Sequence, residues 1–365
     1  MVYSLEELFD LQMGKTPSRN NFNYWNTNDN KWVSISDLSQ SGRYIHETKE
    51  YISDDAIAES GIKVIPANTV IMSFKLSIGK VAITKEEMYS NEAIMAFHDK
   101  HTTELLPEYI YYLFRNKDWS IGTNKAVMGK TLNKATLSQM KISVCSIQKQ
   151  REIVSVLNKV SEIIDNMKDQ IFALDVLIKS RFVEMFGAPE TNPLGWKETT
   201  VGNECYYIKD GPHKSLPDIG KENGGHPFIS VRNIVNGYID FSTAKYISDN
   251  DYQEAINKCH PQKGDILYSK GGTTGIAKLI DIDVEFANWV HVAVLKFDKS
   301  VLNGIFFENM LNSDYCYAQS QKLTKGVINR DLVLSAMAKI KIYRPPIELQ
   351  NQFAAFVHQI DKLKF

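Results

Sequence analysis

A chain of 365 residues, 43% hydrophobic and 23% charged, is long enough to bury more than one core and has an ordinary soluble composition. Its net charge of -1 excludes a uniformly basic nucleic-acid coat and confines any such binding to local surfaces. No apolar run approaches the ~20 residues of a membrane span, Glu6, Glu7 and Asp10 stand where a secretory signal carries a basic end, and Cys145, Cys205, Cys259 and Cys316 form no CxxC pair, so a cytoplasmic chain without membrane partner, disulfide framework or zinc knuckle is expected.

From the start, short β-type runs at 32–35, 69–74, 80–83 and 141–144 alternate with turns around one amphipathic helix at 108–115. Residues 1–146 therefore read as a first domain. Between 147 and 186 an apolar seam runs through Ile153, Leu157, Val160, Ile164, Met167, Ile171, Leu174 and Ile178, stepping by four and three in alternation. That 3.5-residue repeat is the register of a coiled coil, and at ~1.5 Å rise per residue the helix would reach roughly 60 Å, the length of a spacer. Gly187, Pro189 and Pro193 stop it and open a linker.

The segment 187–346 repeats the first domain, and 347–365 begins a second, shorter helix. Tyr51-Ile-Ser-Asp-Asp55 recurs as Tyr246-Ile-Ser-Asp-Asn250, and Pro66 as Pro261. Lys75 with Gly79 matches Lys270 with Gly275, and Leu137-Ser-Gln-Met140 matches Leu334-Ser-Ala-Met337. Ile147-Gln-Lys-Gln150 returns as Ile347-Glu-Leu-Gln350, after which Phe353, Val357 and Ile360 fall where Ile153, Leu157 and Val160 fell. The expected fold is α+β: two tandem α/β domains in pseudo-twofold repeat, separated by long coiled-coil helices paired antiparallel. The second helix is about half the length of the first, and Lys364 occupies the seam position of Ile164. Ile171, Leu174 and Ile178 are thus expected to lack an intrachain partner.

No catalytic constellation emerges. Gly129-Lys-Thr131 ends like a phosphate-binding loop, but Asn124 stands where the first glycine belongs. Asn192-Pro193 is followed by Leu-Gly, not by the proline and aromatic of an amino-methyltransferase, and the eight histidines form neither HxxxH nor HExxH. The chain reads as a non-enzyme without metal.

Charge placement carries more. Between Trp119 and Arg151 there is no acid, against Lys125, Lys130, Lys134, Lys141, Lys149 and Arg151. Between Tyr315 and Ile347 the one acid is Asp331, against Lys322, Lys325, Arg330, Lys339, Lys341 and Arg344. Two matched basic tracts point to two anion-facing surfaces, and Asn124, Thr131, Asn133, Gln321, Thr324 and Asn329 supply types that read base edges. Further loops, Lys75 to Lys80 and Lys270 to Lys278 with Thr273, read equally as phosphate clamps or tight hairpins.

These residues resemble the specificity subunits of type I restriction-modification systems, along essentially the whole chain. The resemblance is carried by Lys130-Thr-Leu-Asn133 and Gly326-Val-Ile-Asn329 with the strands after them, by Arg344-Pro-Pro-Ile-Glu-Leu-Gln350, and by the opening loops Met13-Gly-Lys-Thr-Pro-Ser18 and Asp210-Gly-Pro-His-Lys-Ser215. Cys145-Ser146 departs from the family's Pro-Pro, and the short second helix departs from its usual length. The resemblance implies two target recognition domains, each reading half of a bipartite double-stranded DNA target, and helices that set the gap and dock methylation subunits. It places S-adenosylmethionine, ATP and Mg in the methylation and restriction subunits and none in this chain. It adds the loop residues Lys15, Thr16, His213 and Lys214 to the candidate DNA contacts, beside Lys75, Lys80, Lys270, Lys278 and the basic tracts. A two-domain protein-interaction scaffold, and a truncated or silent specificity variant, stand as alternatives.

Overall fold

Each unit carries a short first strand that pairs antiparallel with a strand just before a helix, Val2–Ser4 with Lys141–Ser143 and Lys197–Thr200 with Lys341–Arg344. The computed structural model describes residues 1–25, 27–75, 77–119, 124–126, 129–327 and 329–364, with backbone alone at 124–126 and 129–131. The chain divides into Met1–Asp165 and Asn166–Phe365, so the helix Ile147–Phe186 is shared between the two units.

In the first unit a five-stranded sheet runs in the order Phe9–Met13, Ile94–Asp99, Val70–Ser73, Val81–Thr84, Tyr44–Ile45, antiparallel except for the last pairing. Val70 and Met72 face a cluster with Tyr109, Ile110 and Phe114 of the helix Pro107–Asn116, while Ile71 faces Val33, Leu38 and Ile45. Both faces are covered, which is why this strand reads as a continuous apolar run instead of an alternation. A smaller sheet joins Glu50–Ile52, Asn30–Val33 and Tyr89–Ser90. In the second unit the order Cys205–Asp210, Val292–Phe297, Ile266–Ser269, Ala277–Leu279 forms the larger sheet, and Lys245–Ile247, His226–Ile229, Ala287–Asn288 the smaller. Ile266 and Tyr268 again face one cluster and Leu267 the other.

The expected strand at 32–35 ends earlier, at Val33, because Ser34 caps the helix Ile35–Gln40 through a reciprocal box with Asp37. The Tyr-Ile-Ser-Asp repeat is a strand, a cap and a first turn. Ser53 accepts from the Ala56 N–H and Ser248 from the Asp251 N–H, and the aspartates that follow suit the positive end of each helix.

Backbone bonding fixes which positions correspond. Phe74 donates its N–H to Ala93 O and accepts from Leu132 N–H; Lys270 donates to His291 O and accepts from Leu332 N–H. Lys270 therefore matches Phe74, not Lys75. Likewise Leu137 matches Met337, since each donates to the residue capping its helix, Asn133 and Val333. The expected match of Leu137 with Leu334, and of Asn133 with Asn329, is shifted: apolar spacing alone does not fix register where insertions intervene.

Gln150 and Gln350 share one role. Both are fully buried. Gln150 accepts from Leu106 N–H at 3.0 Å and donates to Cys145 O and Glu104 O; Gln350 accepts from Asn303 N–H at 2.8 Å and donates to Pro345 O and Val301 O. Each ties the head of its helix to the loop before the packed helix. Cys145-Ser146 thus preserves the same anchoring as Pro345-Pro346.

The long helix has the expected bounds, and Gly187 closes it at φ 76° with its N–H on Val183 O. Its ends are not a free coiled-coil seam. Ile153 packs on the first unit's core, and Leu174 and Ile178 pack on the second unit's. Leu174 and Ile178, expected to lack an intrachain partner, therefore have one. Below them Phe182 and Phe186 enter the core, with ring centroids 5.4 and 5.6 Å from Phe353. The helix Ile347–Asp361 buries Phe353, Val357 and Ile360 there and runs antiparallel to the end of the long helix, with Lys364 Nζ 2.8 Å from Asp175. Leu157 is half-buried, whereas Val160, Ile164, Met167 and Ile171 are exposed.

Candidate nucleic-acid interface

In the second unit two loops lie side by side at the end of the larger sheet. Ser269 closes the first as a hairpin, its backbone N–H on Ile276 O and its hydroxyl accepting from Ile276 N–H, with residues 270–275 between the bonded ends. Ser73 closes the corresponding turn of the first unit in the same way on Lys80. The second unit's loop is therefore longer than the tight hairpin expected of Gly271-Gly272. The second loop, 325–331, is pinned at its base by reciprocal backbone bonds of 2.9 Å between Lys325 and Asp331, and Gly272 N–H reaches Arg330 O to join the loops.

Several expected DNA contacts serve instead to hold this platform. Lys270 is 5% exposed, with its ammonium 2.9 Å from Asp331 and 3.5 Å from Asp210, so it is an internal cation and not a phosphate ligand. Lys278 is spent on Glu308 at 3.2 Å. Arg330 donates to the Gln321 carboxamide oxygen, and Gln321 donates to Thr274 O at 3.0 Å, so both brace the two loops. Thr324 meets Thr274 hydroxyl to hydroxyl at 2.9 Å. Thr273, Lys322, Lys325 and Asn329 remain exposed around the loop, and among the described residues no salt bridge engages Lys322 or Lys325. Val327 stands beside them 95% exposed, an apolar tip that the charge count overlooked. Further along, Lys341 and Arg344 of the basic tract are neutralised by Glu198 and Glu204. The acids come from the strand Lys197–Thr200 and the short helix Val201–Glu204, distant in sequence, so the tract looked more basic than it is.

The opening loop of this unit is also bound up with acids. His213 lies 3.8 Å from Asp210, and Lys214 lies 2.6 Å from Glu254. Burial and the charge of Lys270 hold the neighbouring His291 below the ordinary imidazole value. Gly211 is required here: a Cβ would fall 1.7 Å from Asn288 O, as one at Gly14 would fall 2.2 Å from Asn91 O. Each glycine lets the opening loop press against the smaller sheet.

In the first unit Lys15 donates to Ser60 O and Thr16 to Glu92. Burial pushes the Glu92 carboxyl up, but the Thr16 bond, its own backbone and the charges of Lys75 and Arg19 together hold it below the usual range. Lys75 lies 5.2 Å from the Phe74 ring centroid. Asn133 caps its helix, 2.7 Å from Thr136 N. Lys80 and Lys134 are exposed. The backbone of Asn124–Ala126 pairs with Gly129–Thr131 as a hairpin, but the side chains of Asn124, Lys125, Lys130 and Thr131 lie outside the described residues.

The family described as the type I restriction modification DNA specificity domain matches residues 1–174 and 207–365. The MjaIX specificity subunit of Methanocaldococcus jannaschii is 25% identical over 98% of this chain and 86% of its own length, and the EcoprrI specificity subunit of Escherichia coli is 22% identical over 98% and 87%. Among solved structures, the type I S subunit of M. genitalium superposes with a TM-score of 0.52 at 16% identity, covering 100% of this chain and 90% of that one. A chain from work on assembly and conformational transition of the type I R-M system gives 0.51 at 16% identity over 100% and 90%. These two show the fold. With the family matched along both repeats, the chain belongs to the type I restriction-modification DNA specificity family.

Proposed function

We propose that this chain is a non-catalytic DNA-recognition subunit, in which each unit reads one half of a split double-stranded target and the long helix sets the gap between the halves. The observation that carries this is the repeated platform. The same hairpin, closed by the same serine, lies against the same Leu132 or Leu332 bond in both units, and exposed lysines border it in each. Exposed cations supply sequence-independent attraction to phosphate, and the loop tips select bases. The exposed apolar residues Val160, Ile164 and Met167 suit docking of methylation subunits. In this reading methyl transfer, translocation and cleavage belong to cytoplasmic methylation and restriction subunits, which bring S-adenosylmethionine, ATP and Mg.

The test is single-molecule methylome sequencing of cells that express this chain with its cognate methylation subunit, against that subunit alone. A new bipartite methylated motif supports the reading and names both half-sites. A soluble, folded chain that yields no new motif overturns it.

A further inference from the structure

The smaller sheets of the two units differ at one equivalent place. In the first unit Trp32 stands opposite Glu50 across the strands. Arg19, five positions after Gly14, lays its guanidinium 3.6 Å from the Trp25 ring centroid and 5.0 Å from that of Trp32, and pairs with Glu50. The spot is occupied by the chain's own cation, held between aromatic faces and a carboxylate. In the second unit Phe228 stands opposite Lys245 at the same register. The residue five positions after Gly211 is Leu216, which is buried. No arginine fills the place, and a cavity of about 200 Å³ opens there.

Its lining has two parts. Leu216, Phe228 and Trp289 form an apolar, largely aromatic wall, and Ser215, Arg232 and Lys245 form a polar rim. Arg232 is exposed and gives one bond, at 2.6 Å to Thr243 O, which leaves most of its donors free. Lys245 is exposed and joins no salt bridge among the described residues. The acid that faces these cations is Asp218. Its carboxyl is held below the usual range first by the Tyr246 and Gly220 N–H groups, and further by the charges of Lys245 and Arg232. It is thus engaged by backbone and stands beyond contact pairing with either cation.

Aromatic wall and cationic rim select for a flat ring that carries an anion. A wholly apolar ligand would leave the cations unused, and a bare anion would leave the wall wet. We infer that this cavity binds a single nucleotide, its base against Trp289 and Phe228 and its phosphate at Arg232 and Lys245. Two sources share that chemistry, a free mononucleotide and a nucleotide turned out of bound DNA. The second source rests on the DNA-recognition reading above; the first does not.

The experiment titrates the full chain with 5′-AMP, 5′-dCMP and inorganic phosphate by calorimetry, and separately with its target duplex carrying 2-aminopurine at successive positions. Lys245→Gln and Arg232→Gln/Lys245→Gln are compared with wild type, after thermal melts confirm that they fold. A mononucleotide that binds at least about tenfold tighter than phosphate, and weakens at least about tenfold in the variants, establishes the free source. A rise in 2-aminopurine emission at one position, lost in the variants although they still shift the duplex in a gel, establishes the DNA source. Equal binding of phosphate and nucleotide, or no signal in either arm, overturns the inference. A wild-type chain that shifts no duplex counts against DNA recognition alone, since the mononucleotide arm still judges the cavity.

Discussion

Lys270 places its ammonium 2.9 Å from the Asp331 carboxylate, and this contact joins the base of one loop to the base of the other. Lys270 is buried, and Asp210 at 3.5 Å is its second partner. Removing Asp331 leaves the buried ammonium with only the longer Asp210 contact to compensate its charge. Because the Asp331 side chain is 43% exposed, the effect is smaller than for a fully buried pair. Asp331→Ala is expected to lower stability by about 1–3 kcal/mol, read in urea unfolding, and to speed amide exchange across 325–331. Unchanged exchange would show that the loop is held without the pair.

The buried glutamines at the heads of the two helices should matter equally. Gln150→Leu strands the Leu106 N–H and two carbonyls, and Gln350→Leu strands the Asn303 N–H and two others. Each is expected to destabilise the chain by about 2–4 kcal/mol. Equilibrium denaturation of the two variants checks this, and a loss below about 0.5 kcal/mol in either would contradict the shared role.

Surface and internal lysines should separate cleanly in DNA binding. Lys322→Gln and Lys325→Gln remove exposed charges. Each that meets a phosphate is expected to reduce the slope of log K against log salt by about 0.9. Lys278→Gln breaks the Glu308 pair at 3.2 Å and should reduce stability while leaving that slope unchanged. Binding isotherms at several salt concentrations distinguish the two classes.

His98 sets an acid limit on the first unit. Its Nε2 is buried without a hydrogen-bond partner, and burial holds its pKa below the ordinary 6.5. The unfolded chain therefore binds the proton more readily, and stability rises with pH. The contribution is fully present above the unfolded value and is lost as pH falls toward the lowered folded value. Melting temperatures from pH 8 to pH 5 should fall below about pH 6.5, and His98→Gln should flatten that fall. An equal fall in the variant would assign the effect to other groups.

Much of this fold was legible because its signals are local. The bounds of the long helix follow from a sustained 3.5-residue pattern and from a glycine that takes φ 76°. The Tyr-Ile-Ser-Asp motif marked the duplication, and the structure adds that Ser53 and Ser248 cap the helices that follow, each within its own next turn. The loop contacts were far less legible. Lys270, Lys278 and Arg330 looked like anion ligands and Gln321 like a reader of base edges, yet each makes bonds within the protein.

The sequence by itself determined the duplication and the bounds of the long helix, since these rest on spacing along the chain, and its motifs carried the resemblance to the family. Tertiary structure alone decided which cations face solvent. Lys270 meets Asp331 across 61 positions, and Arg344 meets Glu204 across 140. No local pattern encodes such pairs, because a charge is neutralised by whatever the fold brings within a few ångströms of it. The same holds for the seam. A 3.5-residue repeat specifies an apolar stripe, but only the packed cores decided that its ends at Ile153 and Ile178 are covered while Ile164 and Met167 stay exposed.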